Sequence, residues 1–176
     1  LDKLDGAVSE ISKLKKVEWD KLGLDKMGDS LDISPIMNTL KTGLDDLKIS
    51  VLDDGALDFS RARGSIRFDK NAQSRVNTIV DGMRGYGLKK GDRLPSSIDD
   101  IKQSFASLFD DTSEVKGFVE KMRKSARTVL DDVDGYDQYT KNYGELQDMI
   151  VQLKREMSAG NKNASQTWRK VVNTFK

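Results

Sequence analysis

Residues 113–135 read SEVKGFVEKMRKSARTVLDDVDG and carry the clearest helical pattern in the chain. Apolar residues recur there every three or four positions, which places them on one side of an α-helix. This stripe consists of Val115, Phe118 or Val119, Met122, Ala126, Val129, Leu130 and Val133. Charged residues fill most of the other positions, and Gly135 ends the pattern. Such a helix buries one face and leaves the other in water, so this segment predicts packing against further helices.

Similar apolar stripes occur on both sides of this segment. They predict helices beginning near residues 1, 34, 69, 96, 136 and 164. The expected N-terminal caps are Ser34, Asp69, and Ser96 or Ser97. Pro35 follows Ser34 and occupies the first helical position. Short connections between amphipathic helices favour antiparallel neighbours. We therefore expect an all-α fold, an antiparallel bundle of about six or seven helices.

Residues 49–68 interrupt this helical pattern. Short apolar runs are separated there by Asp53-Asp54-Gly55 and by Gly64. Asp-Gly between apolar runs is a turn signal. We expect a hairpin or an irregular segment near 49–68.

Length and composition indicate one folded domain. The chain has 176 residues, of which 36% are hydrophobic and 34% charged, a balance typical of a slender helical bundle. We expect a single helical domain over 1–176, or one with a semi-independent N-terminal helix over 1–28. No apolar run approaches the roughly 20 residues of a membrane span, and no signal peptide is visible. Because the sequence begins at Leu1 without an initiator methionine, we expect a fragment of a longer chain.

Histidine and cysteine are both absent. Their absence excludes disulfides, thiolate or imidazole metal ligands, and catalytic triads or pairs built on either residue. The run Asp131-Asp132-Val133-Asp134-Gly135 resembles part of a calcium loop, but alignment on its glycine places Leu130 and Lys141 at the two end ligand positions. We expect neither a metal, nor a cofactor, nor catalysis.

Two groups of residues are candidates for binding. The apolar positions Leu1, Leu4, Val8 and Ile11 form the start of the first helical stripe, and we interpret them as a partner-binding face. Arg61, Arg63 and Arg67, next to Gly64, form the densest basic cluster without interleaved acid, which is suited to a phosphate or nucleic acid. The alternative is a surface loop whose arginines pair with nearby aspartates. A formal net charge of +1 does not favour nucleic acid as the main partner.

The C-terminal third contains Tyr136-Asp137-Gln138-Tyr139, Tyr143-Gly144-Glu145-Leu146, Ser158-Ala159-Gly160-Asn161-Lys162 and Thr167-Trp168-Arg169-Lys170. Together with Leu57-Asp58-Phe59-Ser60, these residues resemble helical segments of large bacteriophage virion proteins, which include minor structural, tail and ejected internal proteins. The resemblance covers roughly residues 30–176. It implies a virion component that assembles with copies of itself or with neighbouring head and tail proteins, in the virion or the host cytoplasm. It implies no catalytic residues.

Three functions follow as hypotheses. The leading one is a non-catalytic assembly module of a phage virion or tail-associated protein, which acts through helix packing. The second is nucleic-acid contact through the loop Arg61–Arg67. The third is a carboxylate-based enzyme domain, which requires one acid with a raised pKa beside an ionised one; the sequence identifies no such pair.

Overall fold

The computed structural model describes the backbone of residues 2–106, 108 and 113–142, and the side chains of residues 9, 13–105, 108 and 114–142. Over these residues the chain is mostly helical, as predicted. The backbone is helical again at 136–142. The α-helices are α1 (Asp2–Leu22), α2 (Ser34–Asp46), α3 (Lys70–Met83), α4 (Pro95–Ala106) and α5 (Ser113–Asp131). None of the helices in the described part of the chain is both long and apolar enough to cross a membrane.

The chain divides into two compact units. One comprises residues 1–24 and 134–176, and the other comprises residues 25–133. We expect a single domain over 1–176 or, in the alternative, one with a semi-independent helix over 1–28. Both alternatives stay predictions.

An aromatic cluster lies in the described part of the first unit. The indole of Trp19 meets the ring of Tyr139 edge-on, with ring centroids 4.9 Å apart, and the ring of Tyr136 at 6.3 Å. All three side chains are buried. Next to this cluster, the side chain of Asn142 donates a hydrogen bond to the carboxylate of Glu18 at 2.6 Å. Tyr136 and Tyr139 are therefore core residues of the first unit, while Tyr143 lies outside the described residues.

The stripe that the sequence predicts along α1 is wrong at one position. Steps of three residues extend the first apolar stripe from Val8 through Ile11 and Leu14 to Val17. However, 55% of the surface of Val17 is exposed, whereas Trp19 is buried. Steps of three residues fall short of a full helical turn by about 60° each. A series of such steps therefore drifts around the helix, and Trp19 returns to the packed side where Val17 does not.

The core of the second unit is built around α5, which packs against both α2 and α4. The buried apolar side chains of α5 are Val115, Phe118, Val119, Met122, Ala126, Val129 and Leu130, as its sequence predicts. Gly43 of α2 lies against the ring of Phe118, and a Cβ atom at this position would come within 2.5 Å of that ring. The absence of a side chain at Gly43 thus permits α2 and α5 to approach closely.

Of the hairpin or irregular segment that the sequence predicts near 49–68, the structure has the hairpin. The strands β1 (Ser50–Val51) and β2 (Leu57–Asp58) pair antiparallel, with Ser50 opposite Asp58. Gly55 in the turn has φ 87°, a value that favours glycine. The guanidinium of Arg84 donates a hydrogen bond to the main-chain oxygen of Gly55, which holds the turn against the end of α3. A short 3-10 helix, Gly64–Arg67, follows the hairpin.

The helix caps agree with the sequence in one case and differ in two. Asp69 caps α3 as expected, since its carboxylate accepts hydrogen bonds from the N–H groups of Asn71 and Ala72. Ser34 is already helical, and the carboxylate of Asp32 accepts its N–H at 2.9 Å. At the start of α4, the N–H of Ser96 donates to the carboxylate of Asp25 at 2.8 Å. In both of these cases an aspartate outside the helix takes the place of the serine cap.

Candidate functional site

The connection between α3 and α4 is held in place by two aspartates. We call residues 85–94 the Leu88 loop. The carboxylate of Asp92, within the loop, accepts hydrogen bonds from the N–H groups of Gly87 at 2.9 Å and Lys89 at 3.0 Å. The carboxylate of Asp29, which precedes α2, accepts the N–H groups of Gly91 at 2.9 Å and Arg93 at 2.7 Å. Four main-chain donors of one loop are thus bonded to carboxylates.

Tyr86 adds a further restraint on the Leu88 loop. Its hydroxyl donates a hydrogen bond to the main-chain oxygen of Asp92. Burial, together with the negative charge of Asp92, raises the pKa of Tyr86 to about 12. The hydroxyl therefore stays protonated and remains a donor at neutral pH. The main-chain oxygen of Arg93 also accepts a hydrogen bond from the N–H of Leu31 at 3.2 Å, which ties the loop to the segment before α2.

This restrained loop presents an apolar side chain to solvent. Leu88 is 87% exposed, the largest exposed fraction among the large apolar side chains that the structure describes. The neighbouring cationic side chains Lys89, Lys90 and Arg93 are exposed as well. A protruding apolar group surrounded by cations on a rigid loop is suited to contact with a partner that has an apolar recess and acidic surroundings.

The carboxyl groups of Asp29, Asp32 and Asp58 lack the property that acid catalysis requires. The pKa values of all three are lowered by hydrogen bonds from main-chain N–H groups or from serine hydroxyls. A general acid needs a raised pKa. In the same part of the chain, no group of three or more Asp and Glu side chains is arranged to hold a metal ion.

The three arginines that the sequence selects are all exposed. Arg61 and Arg63 flank the buried Ala62, and Arg67 ends the 3-10 helix. The guanidinium of Arg67 lies 5.7 Å from the ring centre of Phe68, which is 80% exposed. The alternative reading, in which aspartates accompany the arginines, also has support, because the charge of Arg61 contributes to the lowered pKa of Asp58 after the hydrogen bonds from Ser60.

The apolar residues that the sequence assigns to partner binding lie at the start of α1. Leu4, Val8 and Ile11 belong to the helical backbone Asp2–Leu22, and their side chains lie outside the described residues, as does Leu1. The partner-binding assignment of these four residues stays a prediction.

Comparisons with protein families, with curated proteins and with solved structures give no match for this chain.

Sequence reasoning overlooked the Leu88 loop as a site. The available signal was three glycines, Gly85, Gly87 and Gly91, followed by Asp92. Glycines followed by aspartate are typical of turns, and the sequence offers no indication that Asp29 bonds to the same loop. The exposure of Leu88 is likewise a property of the folded chain, since isolated leucines are more often buried.

Proposed function

We propose that this chain is a non-catalytic assembly module that acts through protein–protein contacts, as part of a bacteriophage virion or tail-associated protein. The observation that carries the assembly role is the Leu88 loop. Its backbone is held by Asp29, Asp92 and the hydroxyl of Tyr86, while Leu88 itself remains 87% exposed. Ordering a loop before binding lowers the entropic cost of association. A rigid apolar protrusion is therefore an effective anchor for a partner protein.

A helical bundle is the finer architecture that we propose for this module. Its support is the packing of α5 against α2 and α4 in the second unit and the aromatic contacts of Trp19 with Tyr136 and Tyr139 in the first unit. We propose an antiparallel arrangement of six or seven helices, in keeping with the short connections along the sequence.

The start of α1 is the second contact face that we propose. Leu4, Val8 and Ile11 follow one another at spacings of four and three residues within a continuous helix. Leu1 precedes Leu4 by three residues. Such spacings return to one side of a helix. This face and the Leu88 loop would contact copies of the chain or neighbouring virion proteins, and the resemblance to virion proteins is the support for that choice of partners.

Light scattering coupled to size-exclusion chromatography tests self-assembly with the whole chain over a range of concentrations. We expect a defined oligomer that Leu88→Ser weakens and that Val51→Ser leaves unchanged. Val51 is the matched control because it is also an exposed apolar side chain, at 56%, and lies outside the loop. A monomer at every concentration would remove self-assembly from the proposal. Equal effects of the two variants would remove the Leu88 loop from it.

Nucleic-acid contact through Arg61, Arg63 and Arg67 is a second candidate function. The favouring observation is Phe68, which is 80% exposed beside the guanidinium of Arg67. Arginines next to an exposed aromatic ring are typical of surfaces that bind single strands, where bases stack on the ring. Fluorescence anisotropy with a single-stranded oligonucleotide at low salt tests this candidate. Binding that Phe68→Ala and Arg61→Gln leave unaltered would exclude this surface.

A further inference from the structure

A basic cleft is formed by side chains of α4 and α5 in the second unit. It has a volume of about 330 Å3 and is lined by Lys102, Glu120, Arg123, Lys124 and Arg127. Lys102 comes from α4, and the other four side chains come from successive turns of α5. The volume lies at the lower end of the range for small-molecule sites, about 300–1,000 Å3. Four of the five lining side chains are cationic.

Lys102 is positioned by a buried carboxylate. Its ammonium lies 3.5 Å from the carboxylate of Asp99, and the side chains of the two residues are only 19% and 6% exposed. The amide of Gln103 donates a hydrogen bond to the other carboxylate oxygen of Asp99 at 2.7 Å. A charge this far from water is costly unless it is paired and hydrogen-bonded. The arrangement therefore fixes a cation in the lining of the cleft before any ligand arrives.

Like charges are concentrated around this lysine. Burial lowers the pKa of Lys102, the charge of Asp99 opposes that effect, and the charges of Arg127 and Arg123 lower the pKa further. Among the residues that the structure describes, carboxylates near the cleft include Asp99, Glu120 in the lining, and Asp131, which lies 3.9 Å from the Nε atom of Arg127. The pair of Arg127 with Asp131 is exposed, and such pairs contribute little. An anion in the cleft would reduce the repulsion between Lys102, Arg123 and Arg127.

We propose that the α4–α5 cleft binds phosphate groups, either of a nucleic-acid backbone or of a free phosphate compound. Guanidinium groups bind phosphate oxygens through paired hydrogen bonds, and a lysine adds a compact charge. The cleft supplies both kinds of group from two helices that pack directly on each other. Its residues are distinct from Arg61, Arg63 and Arg67.

Inorganic pyrophosphate and a labelled single-stranded oligonucleotide are the two probes, each titrated at low salt against the whole chain. Calorimetry measures the first and anisotropy the second. The test variant is Lys124→Gln with Arg127→Gln, because both side chains are exposed and their replacement leaves the buried pair of Lys102 and Asp99 intact. Lys116→Gln is the matched control, since it removes one exposed charge from the same helix outside the cleft.

We expect the unaltered chain to bind at least one probe. The affinity of the double variant should be at least about tenfold lower, because it loses charge-assisted hydrogen bonds to the phosphate. The control should bind with the affinity of the unaltered chain. For the oligonucleotide, the double variant should also reduce the dependence of affinity on salt by roughly one unit of slope per lost contact. Binding of the oligonucleotide alone identifies a nucleic-acid backbone as the source of phosphate, whereas binding of pyrophosphate identifies the phosphate group as sufficient.

Three results would overturn the proposal. The first is that the unaltered chain binds neither probe. The second is that Lys116→Gln weakens binding as much as the double variant does, which indicates a diffuse effect of charge. The third is that Arg61→Gln abolishes binding while the double variant retains it, which assigns the phosphate contacts to the hairpin side of the unit.

Discussion

The carboxylate of Asp29 accepts a hydrogen bond from the main-chain N–H of Gly91 at 2.9 Å, across 62 positions of sequence. The same carboxylate accepts the N–H of Arg93 at 2.7 Å. One side chain before α2 thus fixes the course of the Leu88 loop, which carries the proposed partner contact. The replacement of Asp29 should therefore affect the loop before it affects the helices.

We expect Asp29→Ala to accelerate hydrogen exchange at the amides of Gly91 and Arg93 several-fold or more. Both N–H groups lose their acceptor, and amides with few other restraints exchange through local opening. The amides of Val76 and Ile79, buried in the middle of α3, serve as the internal reference and should keep their protection. Hydrogen exchange read by NMR checks this. Unchanged exchange at Gly91 would show that the loop is held by other contacts.

Acid should destabilise the second unit through three aspartates. The pKa values of Asp29, Asp32 and Asp58 all lie below the ordinary value of 3.8, mainly because of hydrogen bonds from Gly91, Ser34 and Ser60 respectively. A carboxyl group with a lowered pKa in the folded state contributes stability at pH values above its unfolded pKa. That contribution is lost as the pH falls through the folded pKa. Denaturant unfolding between pH 6 and pH 2 checks the direction, and Asp29→Asn should make the loss smaller.

Gly43→Ala should destabilise the chain by about 1–3 kcal/mol, the usual cost of overpacking. The added Cβ would lie 2.5 Å from the ring of Phe118, so α2 and α5 would have to separate or the ring would have to turn. Gly117→Ala in α5 is the matched control, since a Cβ there meets no atom within 4 Å. In a helix interior that change should stabilise by about 0.5–1 kcal/mol. Urea unfolding followed by circular dichroism measures both, and a neutral Gly43→Ala would contradict the close approach of the two helices.

Trp19→Ala should lower the free energy of unfolding of the first unit by about 3–5 kcal/mol, as for other large buried aromatic side chains. The indole is 7% exposed and meets both Tyr136 and Tyr139 edge-on. Val17→Ala removes an apolar side chain from the same helix at a position that is 55% exposed, and it should change stability by less than about 0.5 kcal/mol. A similar loss of stability for both variants would place Val17 in the core and contradict its exposed position on α1.

The helices of the second unit were predictable because their signals are local. Val115, Met122, Ala126 and Leu130 recur at helical spacing, and all four are buried on α5. The cap of α3 is equally local, because Asp69 bonds two and three residues ahead. By contrast, Asp29 bonds to Gly91 across 62 positions. No periodicity or turn preference encodes a pairing at that separation, so the Leu88 loop had to be found in the folded chain.

The two basic sites differ in the same way, because one is formed by residues close in sequence and the other by residues far apart in sequence. Arg61, Arg63 and Arg67 are close in sequence, and the sequence therefore indicates them as a cluster. Lys102 and Arg127 lie on different helices, and only the packing of α4 on α5 brings them to one cleft. In the sequence, the cations of α5 alternate with Glu120 and Asp131 and resemble an ordinary solvated face.

Leu88→Ser should leave the free energy of unfolding within about 0.5 kcal/mol of its original value, because the side chain is 87% exposed and exposed substitutions away from special features are nearly neutral. Its effect should fall on association instead. If Leu88 is one of the few residues that dominate the contact, it contributes about 2 kcal/mol, so the dissociation constant of the oligomer should rise roughly thirtyfold. Sedimentation equilibrium measures the constant, and thermal unfolding of the same samples shows whether the fold is retained. If stability falls and association does not change, Leu88 is a structural residue of the loop and the assembly role has to rest on the start of α1.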